Sequence, residues 1–466
     1  MKNPNPIDSQ ANLYFFRYAN KDYMINANVL WACELTRSIK ELVYRYLEQP
    51  DSSWTNLEKT VINRLGIGDH QQLVKTTDCS SNHKQISINS IALFVIQECN
   101  MSCTYCYGVE GRYGSGGKMD EKTAYSTVDW LIKQSNENKE LQINFFGGEP
   151  LLAFDLVEKT INYAETKGKQ NNKKISFGLN TNGTLLNQKI IDFLAQHNTS
   201  ISVSFDGEKA IQDKVRPLKN GKSSYDKIVP NLKLLLSSDA QTHVHTVLSE
   251  RNDLERSEKA ISNIGIQSMT YSIETPLRTE NNTVEHKRDV SEILKTLSKE
   301  KQKIMRLITD RNSSDLSRQN GLVWNCVKQF LGAPKRQYHC NAGRNYAAVS
   351  VSGDVYLCHR FVGDKKHKVG SISNGKPILD EYQKSNIEIH PKCRNCFAKL
   401  TCGGGCYHEN FTANDSDFEP NEEFCKIQCK ATELGAVVTS QLDQSDLKFL
   451  QAVDFIPQQP CPIDLF

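Results

Sequence analysis

The stretch Ile91-Ala-Leu-Phe-Val-Ile-Gln-Glu-Cys-Asn-Met-Ser-Cys-Thr-Tyr-Cys-Tyr107 decides how this 466-residue chain is read. Ile91–Gln97 is a short apolar run and reads as a strand. Cys99, Cys103 and Cys106 follow it with the spacing CxxxCxxC. Three thiolates on one tight loop suit three irons of a [4Fe–4S] cluster, since such clusters are ligated by cysteine. The fourth iron is then open to a small molecule. A structural zinc site needs a closed set of four ligands. A chance group of buried thiols is the remaining alternative.

Outward from this loop, strand and helix patterns alternate over residues 89–275. Further strands are expected at Gln142–Phe146, Ile175–Asn180, Ser200–Phe205, Thr242–Val247 and Met269–Ile273. Helical patterns lie between them, as at Asp120–Gln134, Leu156–Lys167 and Lys189–Ala195. Such alternation predicts parallel βα units, here six, forming an α/β partial (β/α)6 barrel of the TIM type. Sites in βα barrels lie at the carboxyl ends of strands. The cysteine loop follows the first strand. Gly147-Gly-Glu-Pro150 follows the second, Asn180-Thr-Asn-Gly183 ends the third, and Ser204-Phe-Asp-Gly207 ends the fourth.

The cysteine loop, with aromatic Tyr105 before its third cysteine, resembles the signature of the radical S-adenosylmethionine (SAM) enzymes. The three later segments resemble the SAM-contacting motifs of that family, in matching order. The resemblance implies a cluster on Cys99, Cys103 and Cys106 whose open iron chelates SAM, and cleavage of SAM to a 5′-deoxyadenosyl radical. It implies SAM contacts from Gly147 and Gly148, where small residues admit close backbone approach. Glu149 is expected to accept from the SAM ammonium. Asn180, Asn182 and Ser204 are expected to meet the ribose and sulfonium side. Arg216 is expected to pair with the SAM carboxylate as a fork.

The chain has fifteen cysteines, eight of them between 340 and 429. Their spacing is Cx12Gx4C from Cys340 to Cys358, then Cx2Cx5Cx3C over Cys393, Cys396, Cys402 and Cys406, then Cx3C at Cys425 and Cys429. A pair of zinc sites is the alternative to iron–sulfur clusters here. The pattern resembles the SPASM domain of peptide-modifying radical SAM enzymes, which holds two auxiliary [4Fe–4S] clusters. That gives three clusters in all. The resemblance implies Cys340, Cys358 and Cys406 for the nearer auxiliary cluster and Cys393, Cys396, Cys402 and Cys425 for the distal one. Cys429 is an eighth cysteine, open to completing the nearer set or to standing apart, and Cys326 is a second candidate for that place. Cys33, Cys79 and Cys461 read as structural or incidental. Sulfatase-maturing members place an acidic residue after the second cysteine of this field. Here His359 stands there, followed by Arg360, and His359 is a candidate proton acceptor because its ordinary pKa is near neutral. Asp354 reads as a turn residue.

Residues 1–75 read as a small winged unit. Leu13–Tyr18 and Lys21–Asn26 are two strands, and helices follow near Leu35–Leu47 and Ser53–Leu65. A sheet edge there can accept an extended peptide. Residues 76–88 read as a linker, 276–335 as a charged helical bridge exposed to solvent, 336–435 as the auxiliary-cluster domain and 436–466 as a tail. Net charge is +3, which gives no argument for nucleic-acid binding. No apolar run approaches the roughly 20 residues of a membrane span. The N-terminus lacks a signal-peptide core, so a cytoplasmic protein is expected, and its many cysteines then read as metal ligands rather than disulfides.

The whole plan resembles maturases of ribosomally made peptides. That group includes thioether-forming maturases, the quinohemoprotein amine dehydrogenase maturase and the darobactin maturase, which joins aromatic side chains. The resemblance implies a precursor peptide whose leader binds the N-terminal domain, and a reductant such as flavodoxin or ferredoxin. It implies hydrogen abstraction from a side-chain carbon and a carbon–carbon, ether or thioether cross-link. Cys429 as a fourth ligand of the nearer cluster would favour the first two bonds. An open iron there would favour the thioether. Oxidation of a Ser or Cys in a partner protein is the second enzyme reading, and a non-catalytic iron–sulfur peptide carrier is the non-enzyme reading.

Overall fold

The computed structural model describes residues 12–49, 53–67, 87–114, 116–248, 254–267, 269–275, 288–375 and 377–455. Cys79, Cys461, nearly all of the expected linker and the start of the expected bridge lie outside them. The chain forms two compact units. One combines the N-terminal segment with Asp289–His339 and the chain from Asn386. The other combines the stretch ending at Arg288 with Cys340–Ser385.

In the first unit, β1 (Leu13–Tyr18), β2 (Lys21–Asn26) and β3 (Trp31–Glu34) form an antiparallel sheet in that order. Ala19 and Asn20 link β1 to β2, both at positive φ, as a two-residue turn matched to strand twist requires. The third strand is an addition to the two expected. It is only four residues long. Helices Arg37–Glu48 and Asn56–Arg64 follow, the second closed by a capping box between Thr55 and Glu58.

The helices Val290–Thr309, Leu322–Phe330 and Glu422–Ser440 pack on one another, and the last also packs on β3. The expectation of a solvent-exposed bridge is corrected here. Ile293, Leu297, Ile304 and Ile308 are buried along one face of Val290–Thr309, the stripe of an amphipathic helix. The described residues of the expected C-terminal tail are also largely helical, to Ser440 and again over Gln444–Ala452. Gly403, Gly404 and Gly405 all have positive φ, so Cys402 and Cys406 are joined by a turn that only glycines follow without strain.

The second unit is built on a nine-stranded sheet. Strands β4 (Ser90–Ile96), β5 (Glu140–Gly147), β6 (Lys174–Thr181), β7 (Ser200–Ser204), β8 (Thr242–Leu248) and β9 (Met269–Ile273) pair in sequence order, all parallel. Helices connect them, including Glu121–Gln134, Phe154–Gln170, Gln188–Gln196, Ser224–Leu236 and Leu254–Asn263. β4 is buried from Ile91 to Ile96, as a strand covered on both faces should be. This is the expected six-stranded partial barrel. Three short strands extend it. β10 (Tyr346–Val349) pairs parallel to β4, and β11 (Asp354–Tyr356) and β12 (Lys368–Ser371) continue antiparallel. The cysteine-rich region is thus divided, with Cys340 and Cys358 in the barrel unit and the later cysteines in the other. No described helix is long and apolar enough to cross a membrane.

Candidate active site

Six parallel strands place their carboxyl ends on one edge of the sheet, and the segments picked out by motif all lie there. A cavity of about 660 Å³ is lined by Cys99, Cys103, Tyr105, Cys106, Gly147, Gly148, Asn180, Asn182, Ser204, Arg216 and His359. Glu149 is the one expected barrel residue that does not line it.

The cysteine loop is fixed by the end of β5. Gly148 N–H donates to Ile96 O at 3.0 Å, and Glu149 N–H donates to Glu98 O at 2.8 Å. A Cβ on Gly148 would lie 2.1 Å from Glu98 O, and one on Gly147 would lie 2.0 Å from Ile96 O. The glycine pair is therefore required by the approach of the cysteine loop itself. Glu149 is fully buried. Its carboxylate accepts from Leu151 N–H at 3.1 Å, Thr181 Oγ1 at 2.7 Å and Asn182 N–H at 2.7 Å. Burial pushes it up to about 7 against the pull of these bonds. This carboxylate staples the end of β5 to the end of β6. Asn182 extends the staple, its Nδ2 donating to Asn100 Oδ1 at 2.8 Å and lying 3.7 Å from Cys99 Sγ.

Arg216 also has a partner other than the expected one. Its Nε donates to Asp206 Oδ2 at 2.9 Å, and both side chains are buried. A buried guanidinium needs a counter-ion, and the carboxylate two residues after Ser204 supplies it. Asp206 also accepts from Val247 N–H at 3.0 Å and from the hydroxyl of Tyr105. The Arg216 guanidinium stands 5.0 Å from the centre of the Tyr105 ring. One triad thus ties the cysteine loop to the ends of β7 and β8. Asp206 was missed in the sequence although it sits in the quoted Ser204–Gly207 turn.

Burial pushes the Cys103 thiol up to about 12, opposed by Arg216, and the Cys99 thiol up to about 11, reinforced by Glu149. Among the described residues, no three His, Cys, Asp or Glu side chains converge as ligands of one metal ion. A cubane instead spreads its thiolates over separate irons. Three thiols of one loop facing a polar cavity fit that group.

The cavity is also lined by residues without a sequence motif, including His245, Thr275, Tyr346 and Arg360. Their signal was position alone: Thr275 follows β9, His245 lies within β8 and Tyr346 begins β10. Arg360 contacts the Thr275 hydroxyl and stands 5.3 Å from the Tyr107 ring centre. His245 bonds Thr270 Oγ1 and Ser272 Oγ, each at 3.0 Å. Burial, with help from Arg216, pushes it down to about 4. His359 Nδ1 lies 2.8 Å from Tyr346 Oη, and its ring packs against Phe146 with centroids 5.1 Å apart. Burial, then the Arg360 charge, pushes His359 down to about 3. This imidazole is walled in by aromatic rings and held toward its neutral form.

In the second cysteine field, Cys340 and Cys358 both act electrostatically on Tyr346 in the barrel unit. In the other unit Cys393, Cys396, Cys402, Cys425 and Cys429 act on one another. Cys429 therefore lies among the thiols of its own unit. Cys326 is a core residue, packed against Gly435 and within 4.0 Å of the Thr432 hydroxyl.

Comparison with known proteins agrees with this geometry. The model of the radical SAM superfamily matches residues 93–260. The uncharacterized protein MJ0907 of Methanocaldococcus jannaschii is 30% identical over 276 residues, 59% of this chain and 85% of that protein. A cysteine-type anaerobic sulfatase-maturating enzyme of Clostridium perfringens is 24% identical, over 69% of this chain and 90% of that protein. The structure of native anSMEcpe with bound AdoMet and Cp18Cys peptide aligns with a TM-score of 0.62 at 20% identity, covering 79% of this chain and 100% of that one. Streptococcus suis SuiB bound to precursor peptide SuiA aligns with a TM-score of 0.51 at 14% identity, covering 89% of this chain and 98% of that one. Both structures share the fold. With the three-cysteine loop at the carboxyl edge of a six-stranded parallel barrel, the chain belongs to the radical SAM superfamily of enzymes.

Proposed function

We propose that this enzyme installs side-chain cross-links in a ribosomally made precursor peptide. The observation that carries the reading is one cavity holding the three-thiol loop, the Asn180 and Ser204 strand ends and a wall of aromatic and cationic side chains. Cys99, Cys103 and Cys106 would hold the first cluster, and Gly147, Gly148, Asn180 and Ser204 would line the place of SAM. Together these cofactors supply a 5′-deoxyadenosyl radical able to take hydrogen from an unactivated carbon. The chain's own work is positioning and exclusion of water. The Glu149 staple and the Asp206–Arg216–Tyr105 triad hold the loop, while Tyr107, Phe146, Tyr346 and His359 wall the cavity.

In the N-terminal sheet, β1 lies at an edge, the position at which a leader peptide would add as a strand. Electrons come from a reductant such as flavodoxin or ferredoxin. The bond is carbon–carbon, ether or thioether according to the residues joined.

A second reading is oxidation of a single Ser or Cys in a partner protein, which the likeness to a sulfatase-maturating enzyme favours. It needs a base. The depressed pKa of His359 makes it a poor one.

The test is SAM cleavage by the anaerobically reconstituted, chemically reduced protein. Methionine and 5′-deoxyadenosine are expected from the parent and not from the variant Cys99→Ala/Cys103→Ala/Cys106→Ala. Cleavage retained in that variant contradicts the reading.

A further inference from the structure

Residues 215–219 lie along the cysteine loop, backbone to backbone. Thr104 N–H donates to Val215 O at 2.9 Å, Ser102 N–H to Pro217 O at 3.0 Å and Lys219 N–H to Asn100 O at 3.1 Å. Met101 and Leu218 pair between them. The surrounding stretch is basic. Residues 209–227 hold six Lys and Arg against two Asp, in a chain whose net charge is +3 overall. A cavity of about 720 Å³ lies there, lined by Asn100, Thr184, Lys219, Lys222, Ser223 and Lys227 among others. It shares no lining residue with the cavity of the three thiols, yet Cys99 lines that cavity and its neighbour Asn100 lines this one. One loop therefore borders both. Asn182 Nδ2 spans the step, 2.8 Å from Asn100 Oδ1 and 3.7 Å from Cys99 Sγ.

Lys219, Lys222 and Lys227 are exposed. Both Asp of the stretch are engaged by Lys209, which lies 3.7 Å from Asp213 and also pairs with Asp226. Lys219 has Glu110 at 3.5 Å. Lys222 and Lys227 have no ion pair among the described residues. No described lining residue is aromatic, so a nucleic-acid base finds nothing to stack on. An acidic protein surface is the better match to these cations.

We propose that Lys219, Lys222 and Lys227 form the docking surface for an acidic electron-carrier protein that reduces the first cluster. The inference rests on reading Cys99, Cys103 and Cys106 as that cluster's ligands. One electron leaves the reduced carrier and enters the cluster, and no bond is made or broken in that step. Transfer needs the carrier's own cofactor close to the cluster, and the loop that would hold the cluster borders this cavity. Opposite charges speed the encounter and orient the carrier without a large buried interface.

The experiment compares the anaerobically reconstituted parent with two triple variants, Lys219→Glu/Lys222→Glu/Lys227→Glu and Lys139→Glu/Lys169→Glu/Lys174→Glu. The second makes the same charge change at the amino ends of the strands. Lys139 precedes β5, Lys169 lies in the last turn of the Phe154–Gln170 helix and Lys174 opens β6, all exposed. Binding of a flavodoxin is measured by titration calorimetry at low and raised salt. SAM cleavage is driven either by that flavodoxin, reduced, or by dithionite. The parent is expected to bind flavodoxin, and less tightly as salt rises. The first variant is expected to bind it roughly tenfold or more weakly and to keep dithionite-driven cleavage, while the second binds as the parent does. Equal binding by the two variants would overturn the proposal. Loss of dithionite-driven cleavage in the first variant would overturn it too, because the lysines would then act through the cysteine loop. So would a parent that cleaves SAM with dithionite but does not bind flavodoxin. A parent that cleaves no SAM with either reductant would instead sink the ligand reading, and the proposal with it.

Discussion

Arg216 Nε donates to Asp206 Oδ2 at 2.9 Å with the two side chains 7% and 0% exposed. A buried charge that loses its partner is costly, on the order of 3–5 kcal/mol. Asp206→Asn is therefore expected to lower stability by roughly that amount in denaturant unfolding. Asp206→Asn with Arg216→Met should cost less than the sum of the single changes. Additive costs would mean that the pair is not coupled.

Gly148→Ala puts a methyl group 2.1 Å from Glu98 O, a backbone atom that cannot step aside alone. The cysteine loop must then shift. The reconstituted variant is expected to hold less iron than the parent by one cluster and to lose SAM cleavage. Full iron content with normal cleavage would show that the loop tolerates the displacement.

Glu149→Gln leaves three donors facing a group with one acceptor oxygen. A buried donor left unmet costs about 1–3 kcal/mol. The variant should unfold at lower denaturant, and calorimetry should show weaker SAM binding because Asn182 and the loop it holds are displaced. Weaker SAM binding with unchanged stability would instead place the carboxylate on the ligand.

Leu297→Ala should destabilise the first unit by about 2–5 kcal/mol, the usual cost of emptying a buried leucine site. Leu297 is fully buried on the Val290–Thr309 helix. A change within about 0.5 kcal/mol would be the behaviour of a surface residue.

That last helix shows where sequence reading stops. Lysines and glutamates are scattered along it, yet Ile293, Leu297, Ile304 and Ile308 recur at helical spacing, and the spacing was the better guide. Strands β4–β9 were legible because apolar runs and turn residues alternate with helices. β10, β11 and β12 were not, because each is three or four residues long and the pairing of Tyr346 with Ser90 spans most of the chain. The site's members were legible from motifs, but the direction of their side chains was not. Glu149 and Arg216 both stand where expected, and each turns to a protein partner that position alone does not name. Cys429 was legible in principle, since four residues after Cys425 on a helix is the same face.

The account's central claim is tested most directly by the mass of a processed peptide. The protein would be co-expressed with short peptides encoded beside its gene, and the products sequenced by tandem mass spectrometry. Loss of two hydrogens, with fragmentation missing between two residues, is the expected result. The same loss at one Ser or Cys, with fragmentation intact throughout, would contradict cross-linking and establish the oxidising reading.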